Sequence, residues 1–300
     1  MIAPDATHIR YLLTGRWTWR RYKSALITGL MGLAVIAIAV PLVAILYSVV
    51  SRGLGIVVDA FPDFFTKSIP DITREPGPGM GPAILGTLMV TAAATLIAVP
   101  LGVLGAVYLH EYGGNNRFAR AVRFLAMVMT GVPSIVMGLF IYVMWTIRFG
   151  YSAFGGALAL ACLMLPVVIG STEQMLRLVP TQLREASYAL GASKSRTIVT
   201  VVLPAALPGI VSGALLAIAR AAGETAPLMF AIGAAKAYNP HLFDQANTTL
   251  SMQVYSIAAN DLAFPAAETR AWGAALTLVA ITFLMTLAAR IFTSRFALKR

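Results

Sequence analysis

The sequence predicts an all-α integral membrane protein with six transmembrane helices. Of its 300 residues, 58% are hydrophobic and only 12% are charged, and the mean hydropathy is +0.79. A soluble domain carries about 25% charged residues, so roughly half of the usual water-facing charge is missing. The apolar residues fall into runs of about 20, the length that crosses a bilayer as a helix. Composition and run length together therefore indicate a chain embedded in a membrane.

Six apolar runs account for the predicted helices. The predicted spans are 25–50, 83–109, 121–146, 153–170, 207–233 and 271–293, the fourth being the shortest. The first follows a basic tail, residues 1–24, and is longer than the roughly 7–15 apolar residues of a signal peptide, so we expect it to be retained. The Pro- and Gly-rich segment 51–82 is predicted to be an irregular extracytoplasmic loop. Residues 83–293 form the predicted core, and 294–300 form a second basic tail.

Lysine and arginine are distributed unequally between the two sides of these helices. Sixteen lie in the N-terminal tail, the 110–124 loop, the 171–206 loop or the C-terminal end, whereas six lie in the loops of the opposite side. Short cytoplasmic loops are enriched in Lys and Arg, so both termini are predicted to be cytoplasmic. The net charge of +11 is thereby accounted for by topology, and it gives little support to nucleic-acid binding.

The cytoplasmic segment 171–206 is predicted to be helical. Ser171 or Thr172 can cap a first helix, Pro180 can begin a second one, and Gly191 can end it. Two short helices on the cytoplasmic face are more than a connection requires. We therefore expect this segment to form a docking surface.

The same segment contains an extended motif, EASYALGASKSRTIVTVVLP, which begins at Glu185. It resembles the EAA loop of ABC importer permeases: EAA, three residues, glycine, nine residues, isoleucine, one residue, Leu-Pro. Ser187 stands for the third-position alanine and Val201 for the isoleucine, and the spacing is intact. The resemblance implies the type I ABC importer permease fold and a loop that docks on an ATPase subunit. A helix lying on the membrane surface is the alternative, but it does not explain the Gly and Leu-Pro spacing. The residues that the resemblance assigns to coupling with the ATPase are Glu185, Ala186, Ser187, Gly191, Leu203 and Pro204.

The phosphate-cradling pattern GxxxxGK[ST] does not occur in the sequence. The resemblance therefore implies that ATP and Mg²⁺ bind to a separate ATP-binding subunit, present as a dimer. We expect this chain to be a transport subunit rather than an enzyme, with no cofactor of its own.

Three further stretches resemble the phosphate-specific ABC importer permeases over residues 81–293. They are GPAILGTLMVTAAATLIAVPLGVLGAVYLHEY from position 81, TGVPSIVMGLF from position 130 and ARAAGETAPLMF from position 219. Two homologous permeases pair in that system, and GETAPL resembles the PstA type. The resemblance implies a PstC-like partner permease, an extracytoplasmic phosphate-binding protein and a location in the bacterial cytoplasmic (inner) membrane.

One stretch places two opposite charges inside an apolar run, Arg220 and Glu224, where we expect little water. An arginine at membrane depth costs about 2.5–3.5 kcal/mol to insert, so such a residue is a functional candidate. The two residues lie four apart on one helix face and can pair. A guanidinium offers planar donors to phosphate oxygens, and a neighbouring glutamate weakens the hold so that the anion can leave. We expect a role in the substrate pathway, with Thr225 beside them; a structural ion pair is the alternative.

A second candidate for the pathway is GVPS, Gly131–Ser134. Gly131 and Pro133 are expected to interrupt a helix, and Pro133 suits the first turn of a resumed half-helix whose N–H groups favour anions. Ser134 could donate its hydroxyl group. An ordinary proline kink is the alternative. His110 and Glu111 are expected only to form part of a polar rim at a helix end.

Two other functions remain open from the sequence. One is a permease for another oxyanion, molybdate or sulfate. The other is an integral membrane enzyme that uses Glu224 or His110 as an acid or base, although neither belongs to a recognisable nucleophile–base pair or metal cluster in the sequence. The single cysteine, Cys162, permits no disulfide within the chain, and no metal-ligand spacing occurs.

Overall fold

The computed structural model of the chain describes residues 19–72, 75, 77–114 and 116–296, and these residues contain helices and no strand. The predicted tails fall largely outside these residues, as does Arg74. The helices are α1 (Trp19–Asp59), α2 (Asp63–Thr66), α3 (Gly81–Val107), α4 (Arg117–Gly131), α5 (Ser134–Ile141), α6 (Ile147–Phe149), α7 (Ala153–Leu178), α8 (Thr181–Ala189), α9 (Lys194–Thr197), α10 (Leu203–Ala222), α11 (Ala226–Ala231), α12 (Leu250–Asn260) and α13 (Pro265–Phe296). Three π-helical turns, Tyr108–Tyr112, Tyr142–Thr146 and Ile198–Val202, continue α3, join α5 to α6 and join α9 to α10.

Five of the helical segments in the described chain are long and apolar enough to cross a membrane. They are Tyr22–Asp59, Gly81–Tyr112, Ala153–Leu178, Lys194–Ala222 and Pro265–Ala288. The segments Arg117–Gly131 and Ser134–Phe149 pass the same test as a pair, but they are bent by 109° where they meet. The predicted all-α membrane architecture is confirmed, and the third predicted span, 121–146, corresponds to this bent pair.

The boundaries of two predicted spans differ from those observed. The fourth, predicted to end at residue 170, continues as α7 to Leu178, because the polar residues that follow remain helical. Ser171 and Thr172 therefore lie inside α7 and do not cap a helix; the Ser171 hydroxyl donates to Val168 O at 3.2 Å. The fifth, predicted as 207–233, is interrupted after Ala222.

The loop predicted at 171–206 is correspondingly shorter than expected. The structure describes every residue of this loop. Within it, α8 is a separate helix. The residues before α8 complete α7, and those from Lys194 onward run into α10. Pro180 does precede α8, as predicted.

Helix α1 belongs to two structural units, divided between Ser51 and Arg52. In the first unit, the apolar side chains of residues 26–46 are exposed, as expected of a helix that crosses a bilayer. The end of α1, residues 52–59, was predicted to be irregular loop but is helical.

The core of the second unit is made of closely packed small residues. Ala94, Ala98, Ala157 and Ala161 are buried in the cluster that joins α3 to α7, α10 and α11. A Cβ atom on Gly102 of α3 would come within 2.7 Å of the Val168 side chain of α7. Small residues let helix backbones approach closely. Inside a membrane this packing stabilises the helix contacts, because no hydrophobic driving force acts between helices surrounded by lipid.

The loop after α1 is held by buried side chains despite its Pro- and Gly-rich sequence. Phe64 of α2 is fully buried, and Phe64 O accepts a hydrogen bond from Met80 N at 2.8 Å. Arg270 of α13 is also buried, and its Nη1 donates to Glu75 O at 2.7 Å and Gly77 O at 2.9 Å. The loop backbone thus gains partners that its own irregular conformation cannot supply.

Candidate functional site

Two interrupted helices pack against each other in the middle of the second unit. Helix α4 ends at Gly131 and α5 begins at Ser134, while α10 ends at Ala222 and α11 begins at Ala226. A Cβ atom on Gly138 would come within 2.6 Å of the Pro227 Cα atom, so the resumed halves, α5 and α11, touch backbone to backbone. The 109° bend at the first interruption is far larger than an ordinary proline kink.

A cavity of about 230 Å³ lies at the first interruption. Its lining includes Thr130, Pro133, Ser134, Pro166 of α7 and Arg220 of α10. The structure therefore brings Arg220 beside the GVPS stretch, although about 90 residues separate them in the sequence. Gly131 ends α4 next to this cavity. A Cβ atom at this position would have no other atom within 4 Å, so a side chain would fit here without a clash.

The Arg220–Glu224 ion pair is looser and less buried than the sequence suggested. Arg220 Nε lies 3.7 Å from Glu224 Oε1, and the two side chains are 72% and 20% exposed. Most of the Arg220 side chain is left uncovered by the other described residues of this chain, and the expectation that little water surrounds it stays a prediction. The guanidinium is consequently available to a ligand, with Glu224 beside it.

The backbone at the second interruption is satisfied by groups from elsewhere in the chain. The Ser251 hydroxyl of α12 donates to Glu224 O at 2.8 Å. Thr225 precedes α11, and its carbonyl oxygen accepts hydrogen bonds from Leu228 N and Met229 N at 3.1 and 3.2 Å. Of the predicted pathway residues, Ser134 and Arg220 line the cavity, whereas Gly131, Glu224 and Thr225 do not.

Helix α8 ends in a motif that explains the glycine of the EAA-like sequence. Gly191 has φ +80°, a conformation that glycine adopts without strain. Gly191 N donates to Tyr188 O at 2.9 Å, and Ala192 N donates to Ser187 O at 3.2 Å. These two hydrogen bonds form the Schellman motif, which closes a helix with a left-handed residue after its C-cap. Gly191 therefore fixes where α8 stops.

One side of α8 is attached to the protein and the other is open. Ser187 is the buried residue of α8, and its hydroxyl lies 2.8 Å from that of Thr197 in α9. Glu185 and Ala186 are exposed, and Leu190 is 89% exposed. Such a face of small, charged and apolar groups suits contact with another protein.

The last two residues of the motif lie on a different element. Leu203 and Pro204 begin α10 and line an apolar groove of about 520 Å³. Val99 and Val103 of α3 form its opposite wall. The structure thus divides the predicted coupling residues between an exposed helix and the start of a membrane helix.

Sequence reasoning missed an ion pair that holds α8 in place. Arg184 Nη2 donates to Glu111 Oε1 at 3.0 Å, and the side chains are only 14% and 7% exposed. Arg184 also donates to the backbone oxygens of Val179 at 2.7 Å and Leu176 at 3.1 Å. Lys194 Nζ donates to Glu111 O. Glu111, expected only to belong to a polar rim, therefore joins α8 to the end of α3.

A second missed cluster lies nearby, between α4 and α7. Glu173 Oε1 accepts hydrogen bonds from Arg123 Nε at 3.0 Å and from Arg177 Nη2 at 2.9 Å. The i,i+4 spacing of Glu173 and Arg177 was visible in the sequence. The approach of Arg123 was not, because it depends on how α4 packs against α7.

The family model for "Binding-protein-dependent transport system inner membrane component" matches residues 98–298. Among curated relatives, "Phosphate transport system permease protein PstA 1" of Mycobacterium tuberculosis (strain ATCC 25618 / H37Rv) is 43% identical over 273 residues, which cover 90% of this chain and 87% of the relative. "Phosphate transport system permease protein PstA" of Mycobacterium leprae (strain TN) is 44% identical over 263 residues, covering 87% and 85%. The protein of the same name from Yersinia pestis is 35% identical over 278 residues, covering 92% of each chain.

Solved structures show the same fold at lower sequence identity. A chain of the MetNI methionine ABC transporter, solved in inward-facing conformations, has a TM-score of 0.60 at 20% identity, covering 72% of this chain and 94% of its own. A chain of the bacterial ABC transporter that imports the acidic polysaccharide alginate has a TM-score of 0.59 at 14% identity, covering 93% and 99%. The type I ABC importer permease fold is thereby confirmed. With its interrupted membrane helices, its EAA-like α8 and these matches, the chain belongs to the inner-membrane components of binding-protein-dependent transport systems and, among them, to the PstA-type phosphate permeases.

Proposed function

We propose that this chain is the transmembrane permease subunit of an ATP-driven importer of inorganic phosphate and forms half of its translocation pathway. The PstA-type relatives, which match most of the chain, support phosphate as the substrate. The observation that carries the proposal in this chain is the exposed guanidinium of Arg220 in the cavity at the α4–α5 interruption.

Arg220 has the chemistry that a phosphate pathway requires. Its planar N–H groups match two phosphate oxygens at once, which the single ammonium group of lysine does not. The Ser134 hydroxyl lines the same cavity and adds a neutral donor. Glu224, 3.7 Å from Arg220, offsets the positive charge, so the anion is attracted without being trapped. Gly131 and Thr225 shape the two interruptions on either side.

The exposed side of α8 is the proposed contact with the ATPase. Glu185, Ala186, Ser187 and Gly191 form this helix and its end, and Leu203 with Pro204 begins the membrane helix that follows. Because the sequence lacks a phosphate-cradling loop, ATP and Mg²⁺ bind to partner subunits, which form a dimer. The remaining partners are a PstC-like permease, which completes the pathway, an extracytoplasmic phosphate-binding protein and the surrounding lipid.

The orientation follows from the charges. With sixteen Lys and Arg on the side of α8 and six on the opposite side, both termini and α8 face the cytoplasm of a bacterial inner membrane. The ATPase is then on the cytoplasmic side, where ATP is available.

Variants of the Arg220–Glu224 pair test this function. In cells that depend on this permease and its partners, uptake of labelled phosphate should be abolished by Arg220→Gln and fall by about tenfold or more with Arg220→Lys, since the planar fork is lost. The double variant Arg220→Gln with Glu224→Gln should remain inactive, because no cation is left for the anion.

The matched control is Arg148→Gln, which removes an exposed arginine that lines neither the Arg220 cavity nor the apolar groove at Leu203. It should transport like the wild type at equal membrane expression. Recovery of transport in the double variant would assign the pair to packing and contradict the pathway role of Arg220.

A further inference from the structure

A second cationic cavity lies next to the Arg220 cavity. It has a volume of about 390 Å³ and is lined by residues of α4 and α7, including Arg123, Glu173, Gln174 and Arg177. Thr130 and Pro166 line both cavities, so the two cavities adjoin at these residues. Arg177 lies one residue before the end of α7, near the cytoplasmic helix α8.

The two arginines of this cavity differ in how many of their side-chain nitrogen atoms donate hydrogen bonds within the chain. Arg123 uses all of its donor nitrogens within the chain: Nε to Glu173 Oε1 at 3.0 Å, Nη1 to Gly114 O at 3.2 Å and Nη2 to Leu109 O at 2.6 Å. Arg177 Nη2 donates to Glu173 Oε1. Within the described part of the chain, Arg177 Nε and Nη1 make no hydrogen bond. Its side chain is 63% exposed. Arg123 is therefore a structural residue, whereas Arg177 presents unused donors to the cavity.

The charges of the cluster favour an anion without binding it permanently. Two guanidinium groups face one carboxylate, which leaves one net positive charge. The arrangement resembles that of Arg220 and Glu224, in which an arginine with open donors pairs with a glutamate four residues away in the sequence, although Glu224 lies beyond the end of α10. Gln174 adds an uncharged amide to the lining. A phosphate that leaves Arg220 past Thr130 would enter the cavity in which Arg177 has open donors.

The position of Arg177 also connects it to movements of α8. Arg184 of α8 donates to the backbone oxygens of Leu176 and Val179, which flank Arg177 on either side. A displacement of α8 would consequently pull on the segment that carries Arg177. The cavity can thus change its hold on an anion in step with the motion of the helix proposed to contact the ATPase.

We propose that Arg177, with Gln174 and the Glu173 carboxylate that offsets its charge, forms a cytoplasmic exit site for the transported oxyanion. This inference rests on the proposed function, because it assumes that phosphate passes Arg220. If Arg177 had only a structural role, its positive charge would stabilise α7 by interacting with the C-terminal end of the helix dipole and by pairing with Glu173.

Transport by the complete transporter in proteoliposomes separates these roles. In Arg177→Gln, the maximal rate of phosphate uptake should fall about tenfold, or about 1.4 kcal/mol, while the external phosphate concentration that gives half of that rate should change less than twofold. Arg177→Lys keeps the positive charge but lacks the planar donors of a guanidinium, so its maximal uptake rate should be intermediate. Phosphate added on the ATPase side should inhibit the wild type, and inhibition of Arg177→Gln should need at least fivefold more phosphate.

The matched control is Arg117→Gln, which removes an exposed arginine at the start of α4 that lines neither cavity. It should transport and be inhibited like the wild type. If Arg177→Gln assembles normally and matches Arg117→Gln in rate and in inhibition, the exit site is wrong while the proposed function stands. If the wild-type complex itself does not move phosphate, the proposed function fails and the exit site fails with it.

Discussion

At the scale of single residues, the charged groups divide by the number of partners they have. Arg184 and Arg123 each make three hydrogen bonds to the protein, and both hold separate helices together. Arg220 and Arg177 each have one acidic neighbour and open donors in a cavity. Because each hydrogen bond to the protein leaves fewer of the five N–H donors of a guanidinium for an oxyanion, Arg220 and Arg177 are the two of these four arginines that suit a ligand best.

Arg184 should be necessary for the stability of the assembled protein. Arg184→Ala leaves the buried carboxylate of Glu111 without its guanidinium partner, and breaking such a pair costs about 3–5 kcal/mol. The melting temperature of the purified transporter should fall by roughly 5–10 °C. Arg196→Ala is the control, since Arg196 is an exposed residue of α9, and it should change the melting temperature by about 1 °C or less. Equal melting temperatures for the two variants would show that the Arg184–Glu111 pair is not formed in the membrane.

At the scale of elements, sequence patterns were informative wherever a local rule decided the structure. Gly191 predicted the end of α8, because a Schellman motif depends on neighbouring residues alone. The break at Pro133 was predicted for the same reason. Its 109° angle was not, because the direction of α5 is set by its packing on α11 at Gly138.

The extension of α7 shows the opposite case. Hydropathy placed its end at residue 170, yet the helix continues to Leu178. Glu173, inside that extension, is held by Arg123, which is 50 positions earlier in the sequence. A partner so distant is brought close only by the fold, so neither the helix end nor the second cavity could be predicted from local pattern.

The end of α8 offers a test of the coupling element. Gly191→Val should abolish the phosphate-stimulated ATPase activity of the assembled transporter, because a β-branched residue is strained at φ +80°. Gly191→Asn should retain most of the activity, since asparagine tolerates the left-handed conformation. A Cβ atom at this position would have nothing within 4 Å, so backbone strain rather than crowding distinguishes the variants. Normal phosphate-stimulated activity in Gly191→Val would contradict the proposed role of α8.

At the scale of the whole molecule, the interrupted helices and α8 belong to one packed unit, which begins at Arg52. Within it, α7 connects them: Pro166 lines the Arg220 cavity, and the end of the same helix leads directly into α8. A motion of α8 can therefore reach the proposed substrate pathway through one continuous helix, α7, to which Arg184 binds α8. This continuity is a physical basis for coupling ATP hydrolysis on the partner subunits to transport.

Phosphate transport driven by ATP on the partner subunits is tested most directly in proteoliposomes. These contain the complete transporter, with its binding protein outside, ATP available to the ATPase and labelled phosphate as the substrate. We expect uptake that requires ATP and is not reduced by equal concentrations of sulfate or molybdate. ATP-dependent uptake of labelled sulfate or molybdate, with phosphate unable to compete, would show that this permease carries a different oxyanion.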